Sequence, residues 1–285
     1  MKYAISAATG HFGQIAIREL LKEVSASDAI AIVRNVDKAK KVLPEGIEIR
    51  QADYTDKGAL IKALTGVDKL LFISSVPGGD VSRETQHQNV VEAAKEDGVE
   101  YLAYTSFADA DNAKSALSSD HKFTEKIIKE SGMKYSFLRN AWYLENEMSY
   151  LKAGAAGEDA VYAAGDGKIG FALEREYAVG AAKVMTLDSA KNVYEFGGKP
   201  VTYAELGQAV KEVTGKQFEF KSVSDAEYRQ NLIDSGFDEM TADIFVGMQD
   251  MMRDGELDVA STDLPDVLGH ELTPLTDAVK EVLNR

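Results

Sequence analysis

A doubly wound α/β fold with a smaller, mainly helical C-terminal lobe is predicted by three features of the sequence. Six short apolar runs alternate with amphipathic stretches over residues 1–139, a turn of small residues follows the first run, and the alternation lapses beyond residue 139. Strands separated by helices at this spacing need right-handed crossovers, which set the strands parallel in one sheet covered on both faces.

The runs are KYAISA (2–7), AIAIVR (29–34), IEIRQA (47–52), KLLFISS (69–75), EYLAYTS (100–106) and KYSFLR (134–139). Between them lie QIAIRELLKEV (14–24), VDKAKKVL (36–43), DKGALIKALTG (56–66), ETQHQNVVEAAKED (84–97) and HKFTEKIIKESG (121–132), whose apolar residues recur at three and four as on one helix face. Residues 140–173 are polar, aromatic and then rich in glycine and alanine. Regular structure resumes with a helix from Glu176 to Leu187 and a seventh strand, VYEFGG (193–198). Thr202 with Glu205 forms a capping box for a helix through Val213, Ser224 with Glu227 repeats it, and Thr273-Pro274 predicts a cap and first-turn proline before the last helix. The expected division is residues 1–139, completed by 174–198, for the sheet domain. Residues 140–173 and 199–285 are left for the lobe.

The chain has 285 residues, of which 45% are apolar, enough for a sizeable core. Acidic residues outnumber basic ones 47 to 32, so the net charge of -15 repels polyanions and argues against nucleic acid or an anionic membrane as partner. No secretory leader or membrane-length apolar stretch is seen, and a cytoplasmic protein is expected. With no cysteine and four scattered histidines lacking ligand spacing, no metal is expected. No G-x-S-x-G elbow is present either.

SAATGHFG (6–13) carries the main chemical signal. Gly10 and Gly13 have the spacing of the second and third glycines in G-x-x-G-x-x-G, with Ala7 in place of the first. The spacing alone also suits a turn whose glycines serve packing. Its place after the first strand of a doubly wound sheet, where ligands bind beyond the strands' carboxyl ends, favours a pyrophosphate on the helix N-terminus. About twenty residues on, an NAD site carries a carboxylate for the ribose hydroxyl, whereas this chain has Val33-Arg34-Asn35. A guanidinium there suits a 2′-phosphate, with Lys38 in support, so NADP(H) is expected over NAD(H).

IxxATGHFG, AIVRN, RQADYTD, LLFISS, YTSF, LRNAWYLEN and AAGDGKIG, in this order and spacing, resemble the NmrA-like branch of the atypical short-chain dehydrogenases over essentially the whole chain. Within that branch the similarity is to the bacterial NAD(P)H:quinone oxidoreductases. The resemblance implies a Rossmann domain, a cleft against the smaller lobe, and reduction of a small-molecule quinone by a monomer or homodimer. It implies that Ala7, Ala8, Thr9, Gly10, His11, Phe12 and Gly13, with Arg34, hold the adenosine side of the cofactor, and that Ser74, Ser75 and Val76 line it. Asn140, Ala141, Trp142, Tyr143, Leu144 and Glu145 then form the nicotinamide and quinone end. Relatives tend to carry arginine one position before Arg175, so any contact from that side is absent or made by Arg175.

Carbonyl-reducing short-chain dehydrogenases use Tyr-x-x-x-Lys, and the corresponding helix here offers His121-Lys122-Phe123-Thr124-Glu125. A simple ketone becomes a basic alkoxide on accepting hydride, whereas a quinone becomes a delocalised phenolate that needs less acid help. Loss of the pair therefore fits a quinone acceptor, and equally a cofactor-binding regulator without turnover. Another small electrophilic acceptor would share the same cofactor site. Tyr104, Ser106, Asn140 and Tyr143 are the expected hydrogen-bond donors, and Trp142 a flat wall; Trp142 and Tyr143 equally suit packing between the two parts. His121 is expected to be exposed at its helix N-terminus. Met248, Met251 and Met252 are expected in the lobe's core or at the cleft rim.

Overall fold

The computed structural model describes residues 1–284. The first part runs β1 (Tyr3–Ile5), α1 (His11–Leu20), β2 (Ala29–Val33), α2 (Val36–Val42), β3 (Glu48–Gln51), α3 (Lys57–Leu64), β4 (Lys69–Phe72), α4 (Arg83–Glu96), β5 (Tyr101–Phe107), α5 (Ala116–Ser131) and β6 (Lys134–Asn140). Then come β7 (Trp142–Tyr143), a 3-10 turn (Leu144–Glu147), α6 (Met148–Ala156), β8 (Ala160–Tyr162), β9 (Phe171–Ala172), α7 (Glu174–Thr186) and β10 (Val193–Phe196). The chain ends with α8 (Tyr203–Thr214), β11 (Phe220–Ser222), α9 (Asp225–Asp234), α10 (Glu239–Arg253), α11 (Asp263–Leu268) and α12 (Leu275–Leu283).

Seven parallel strands form the main sheet in the order β10-β6-β5-β4-β1-β2-β3. The chain winds outward from β1 to β3, then restarts at β4 on the other side of β1. The crevice beyond β1 and β4 is therefore the topological switch point where such sheets bind ligands. Central strands are continuous apolar runs because both faces are covered; β2 is buried throughout. Side chains of Asn35, Asp56, Ser82 and Ser115 cap α2, α3, α4 and α5 by accepting the amide three residues on.

Three apolar clusters fill the molecule. One packs α1, α7 and α11 on the sheet through Ala16, Ile17, Tyr177, Ala181 and Leu264. A second buries Leu60, Leu64, Val90, Val91 and Ile128 against the other face. A third holds the distal elements through Leu151, Tyr203, Leu206, Met252 and Val279.

Two expectations need correction, and the mainly helical lobe carries one small addition. Residues 263–268, assigned by sequence to the lobe, form α11 and pack on α7 and β10. Two short parallel ribbons, β8 with β11 and β7 with β9, lie among the lobe's helices. The last helix begins at Leu275 with Pro274 at its cap. Thr273 instead donates through its amide and hydroxyl to the Glu176 carboxylate, both at 2.8 Å, because that buried acid needs donors.

Candidate functional site

The turn after β1 is built around close approach. Gly10 caps α1 without a side-chain bond, and its amide donates to the Ala7 carbonyl at 3.0 Å. A Cβ on Gly13 would lie 2.7 Å from that carbonyl oxygen and 2.7 Å from Ala8 Cα, so only glycine lets α1 sit this close to the turn. Ala7 adopts φ 49°, the left-handed conformation that a first glycine would take without strain. The amides of Thr9, His11, Phe12 and Gly13 have no acceptor among the described residues. They form a ready anion cradle at the positive end of α1. The expected residues divide accordingly: Ala8 spends its amide on Ile32, while Phe12 buries its ring and offers backbone.

Arg34 ends β2 with its side chain 83% exposed and its Nε 3.9 Å from Asp53, a loose pairing that leaves the guanidinium fork open. Lys38 is exposed one helical turn on, and its amide is bound by Asn35. On the other side of β1, Ser74 and Ser75 follow β4. The Ser74 amide donates to Thr105 Oγ1 (2.9 Å), the Ser75 amide to His87 Nε2 (3.0 Å), and Arg83 Nε donates to the Ser75 carbonyl (2.7 Å). Val76 is 84% exposed beside them.

Tyr104, an expected cleft donor, is fully buried. Its hydroxyl lies 2.8 Å from His121 Nδ1, and burial pushes its phenol pKa up. His121 is likewise buried rather than exposed, held against Arg83 and well below the ordinary histidine range through desolvation and then that cation. Ser106 donates to Glu125, which also grips Arg139 through two bonds. Sequence patterning missed this because polar residues on a central strand read the same whether they face solvent or a buried imidazole.

The stretch after β6 does reach the carboxyl edge of the sheet, where Asn140 pairs with Phe107 on one side and Phe196 on the other. Asn140 Nδ2 donates to the Tyr143 hydroxyl at 3.0 Å, while its buried Oδ1 has no partner. The Tyr143 ring stacks on Phe12, centroids 6.2 Å apart, tying this stretch to the turn. Burial raises the Tyr143 phenol pKa, so the group stays protonated. Trp142 is half-buried and directs its indole N–H to Glu147 (2.8 Å). Ala141 and Leu144 are buried in the core of the distal elements rather than lining an open surface. Glu145 accepts the Glu174 amide at the start of α7, and Glu174 in turn binds His11. Arg175 joins Glu281 and Thr273, so it fastens α12 and contributes nothing to the cleft. Met251 and Met252 are buried in the lobe.

These parts fit a nicotinamide dinucleotide: free helix amides for pyrophosphate, an open guanidinium for a ribose phosphate, and an orphaned buried carbonyl oxygen suited to a carboxamide N–H₂. They define a Rossmann-type dinucleotide-binding protein. The chain belongs to the NAD(P)H-binding, NmrA-like family of oxidoreductases. Residues 7–164 match the family model described as NAD(P)H-binding. The chain is 40% identical to quinone oxidoreductase 2 of Escherichia coli over 285 residues, covering 99% of this chain and 98% of that protein. The structure of the Escherichia coli NADPH-dependent quinone oxidoreductase complexed with NADPH superposes with a TM-score of 0.93 at 39% identity, over 99% of this chain and 100% of that one. Triphenylmethane reductase from Citrobacter sp. gives 0.93 at 37% identity, over the whole of both chains.

Proposed function

We propose that the protein is a flavin-independent reductase that uses NADPH, in preference to NADH, to convert quinones to hydroquinones by direct hydride transfer. The observation that carries this reading lies in α5. Its His121 and Glu125, at the spacing of the missing Tyr/Lys pair, both turn inward to Tyr104, Ser106 and Arg139. The helix therefore offers the cleft no acid for a nascent alkoxide, and the acceptor must be one whose reduced oxygen is weakly basic. Quinone oxygens meet that condition: hydride plus a single proton, taken from water, completes the hydroquinone.

A bound reduced dinucleotide supplies the hydride. The chain's residues do the rest: the α1 amides and Arg34 hold phosphates, Asn140 Oδ1 orients a carboxamide, and the Tyr143 hydroxyl donates to a developing oxyanion. The relatives named quinone oxidoreductase support the same acceptor class. A cytoplasmic location is in keeping with the charge of -15 and with the lack, among the described residues, of any helix long and apolar enough to cross a membrane.

The test is to mix purified protein with NADPH and a panel of benzoquinones and naphthoquinones, without flavin, and follow loss of nicotinamide absorbance. Quinones should be reduced and simple ketones left unchanged. Cofactor binding without oxidation of any acceptor would overturn the enzymatic reading in favour of a sensor. Asn140→Ala should lower turnover at least tenfold by removing an oriented hydrogen bond of about 1.5 kcal/mol; an unchanged rate would clear that residue.

A further inference from the structure

Glu147 is a buried acid that the proposed chemistry does not use. It ends the 3-10 turn after Trp142 and is 4% exposed. One oxygen accepts the Trp142 indole N–H at 2.8 Å, the other the Tyr203 hydroxyl at 2.9 Å. Gln249 Nε2 donates to the same Tyr203 oxygen at 3.1 Å, and Gln249 Oε1 accepts the amides of Ala163 and Ala164 at 2.9 and 3.0 Å. A continuous polar chain therefore runs from Trp142, beside Asn140 and Tyr143, through α8 and α10 to the start of the AAGDGKIG segment. A side chain buried among apolar groups keeps a carboxylate only if both oxygens have donors, as here.

We infer that Glu147 is a positioning residue that fixes the Trp142 indole as a wall of the acceptor cleft and ties it to α10. This rests on the acceptor-cleft reading of residues 140–145 given above. The indole has one N–H, and with that donor held inside the lobe the ring plane is set by the bond. Without the acceptor, the ring has several rotamers open to it.

The groups facing Glu147 give it an unusual titration. Trp142 comes from β7, Tyr203 from α8, and the phenols of Tyr150 on α6 and Tyr228 on α9 lie farther off; all are neutral. Of the charged residues on α12, which packs on the same turn, Asp277 and Lys280 are exposed and Glu281 is paired with Arg175. Lys152 on α6 is exposed. Glu145 on the same turn is committed to the Glu174 amide. With no buried cation beside it among the described residues to offset desolvation, the carboxyl is pushed up to about 7.

Trp142 is the chain's one tryptophan, so its emission reports this contact alone. Excitation moves electron density from the pyrrole to the benzo ring, and an ionised carboxylate at the indole nitrogen stabilises that state. Emission of the ligand-free protein should move to longer wavelength as pH rises through about 7, and Glu147→Gln should abolish the transition. In steady-state assays Glu147→Leu should raise the quinone KM about tenfold, the worth of one well-made hydrogen bond, with NADPH affinity held within about twofold. Glu147→Gln keeps an acceptor for the indole and should recover most of that loss. A transition that persists in Glu147→Gln, or a quinone KM unchanged in Glu147→Leu, overturns the inference. If Glu147→Leu does not fold, the emission titration of Glu147→Gln decides. That titration needs no substrate, so failure of the quinone reading itself would show separately, as wild-type protein that titrates and does not turn over.

Discussion

Replacing Arg34 with alanine tests the cofactor assignment at its most discriminating point. The side chain is 83% exposed and its one ionic neighbour, Asp53, stands 3.9 Å away. An exposed pair at that distance contributes little to stability, so the variant should unfold within about 1 °C of wild type. What the variant loses is a charge-assisted, forked contact to a ribose phosphate, about 1.5–3 kcal/mol. At about 1.4 kcal/mol per decade this is a loss of roughly 10- to 150-fold in NADPH affinity. NADH carries a hydroxyl where NADPH carries the phosphate, so its affinity should change by less than about twofold. Titration calorimetry with both nucleotides, at one fixed ionic strength, reads the difference directly. Equal losses for the two, or no loss for NADPH, would refute the placement of the 2′-phosphate on the tip of β2.

Gly13→Ala should cripple binding, because its Cβ at 2.7 Å from Ala7 O and Ala8 Cα forces the turn to open; overpacking of this kind costs about 1–3 kcal/mol, read as a lower Tm together with at least tenfold weaker NADPH binding. Ala7→Gly should do the reverse: relief of the φ of 49° gains about 1–2 kcal/mol, offset in part by about 0.4–1 kcal/mol of added chain entropy, so Tm rises by about 1–2 °C with affinity kept or improved. A fall in either quantity would show that the turn does not need this conformation. The stability of the wild type should carry a signature of Glu147. Its folded pKa is about 7, above the ordinary carboxyl range, so its contribution is fully present below about pH 4.5 and fades as pH rises through 7. Denaturant melts of wild type and Glu147→Gln should therefore diverge over that window in favour of the variant, by a few kcal/mol at most; parallel curves would contradict the raised pKa.

The sheet was legible in the sequence because strands buried on both faces are nearly unbroken apolar runs, and all six N-terminal runs sit on strands. The tight turn after β1 was legible for a related reason: glycine spacing encodes backbone approach, which needs no tertiary information. Side-chain chemistry was not. Tyr104 and Ser106 look like cleft donors at the end of β5, but their fate is decided by α4 and α5, which bring His87, His121 and Glu125 over them. Glu147 escaped notice because an acid ahead of a helix reads as an ordinary N-terminal residue. Only the arrival of Tyr203 from a helix more than fifty residues on shows that it is buried. Similarly, α11 was assigned to the lobe because its position in the chain says nothing about the groove between α7 and β10 that Leu264 and Leu268 fill.

The disposition of the acids explains how so negative a chain can hold a polyanionic cofactor. A charge of -15 opposes the ligand at long range, but three carboxylates in the 3-10 turn and at the start of α7 are engaged within the protein. Glu145 caps the Glu174 amide, Glu174 binds His11, and Glu176 accepts the Leu173 amide and both donors of Thr273. Each is thereby held by a hydrogen-bonding partner within the protein. The long-range repulsion is screened beyond about 8–10 Å in salt, while the contacts proposed for the α1 amides and Arg34 would act well inside that distance. Local geometry therefore outweighs the global field. The same inward commitment bears on the acceptor proposed above: with His121 and Glu125 of α5 engaged in the interior, the side chains proposed for the cleft are a carboxamide oxygen, a phenol and an indole, a set suited to orienting a flat acceptor that needs little proton help.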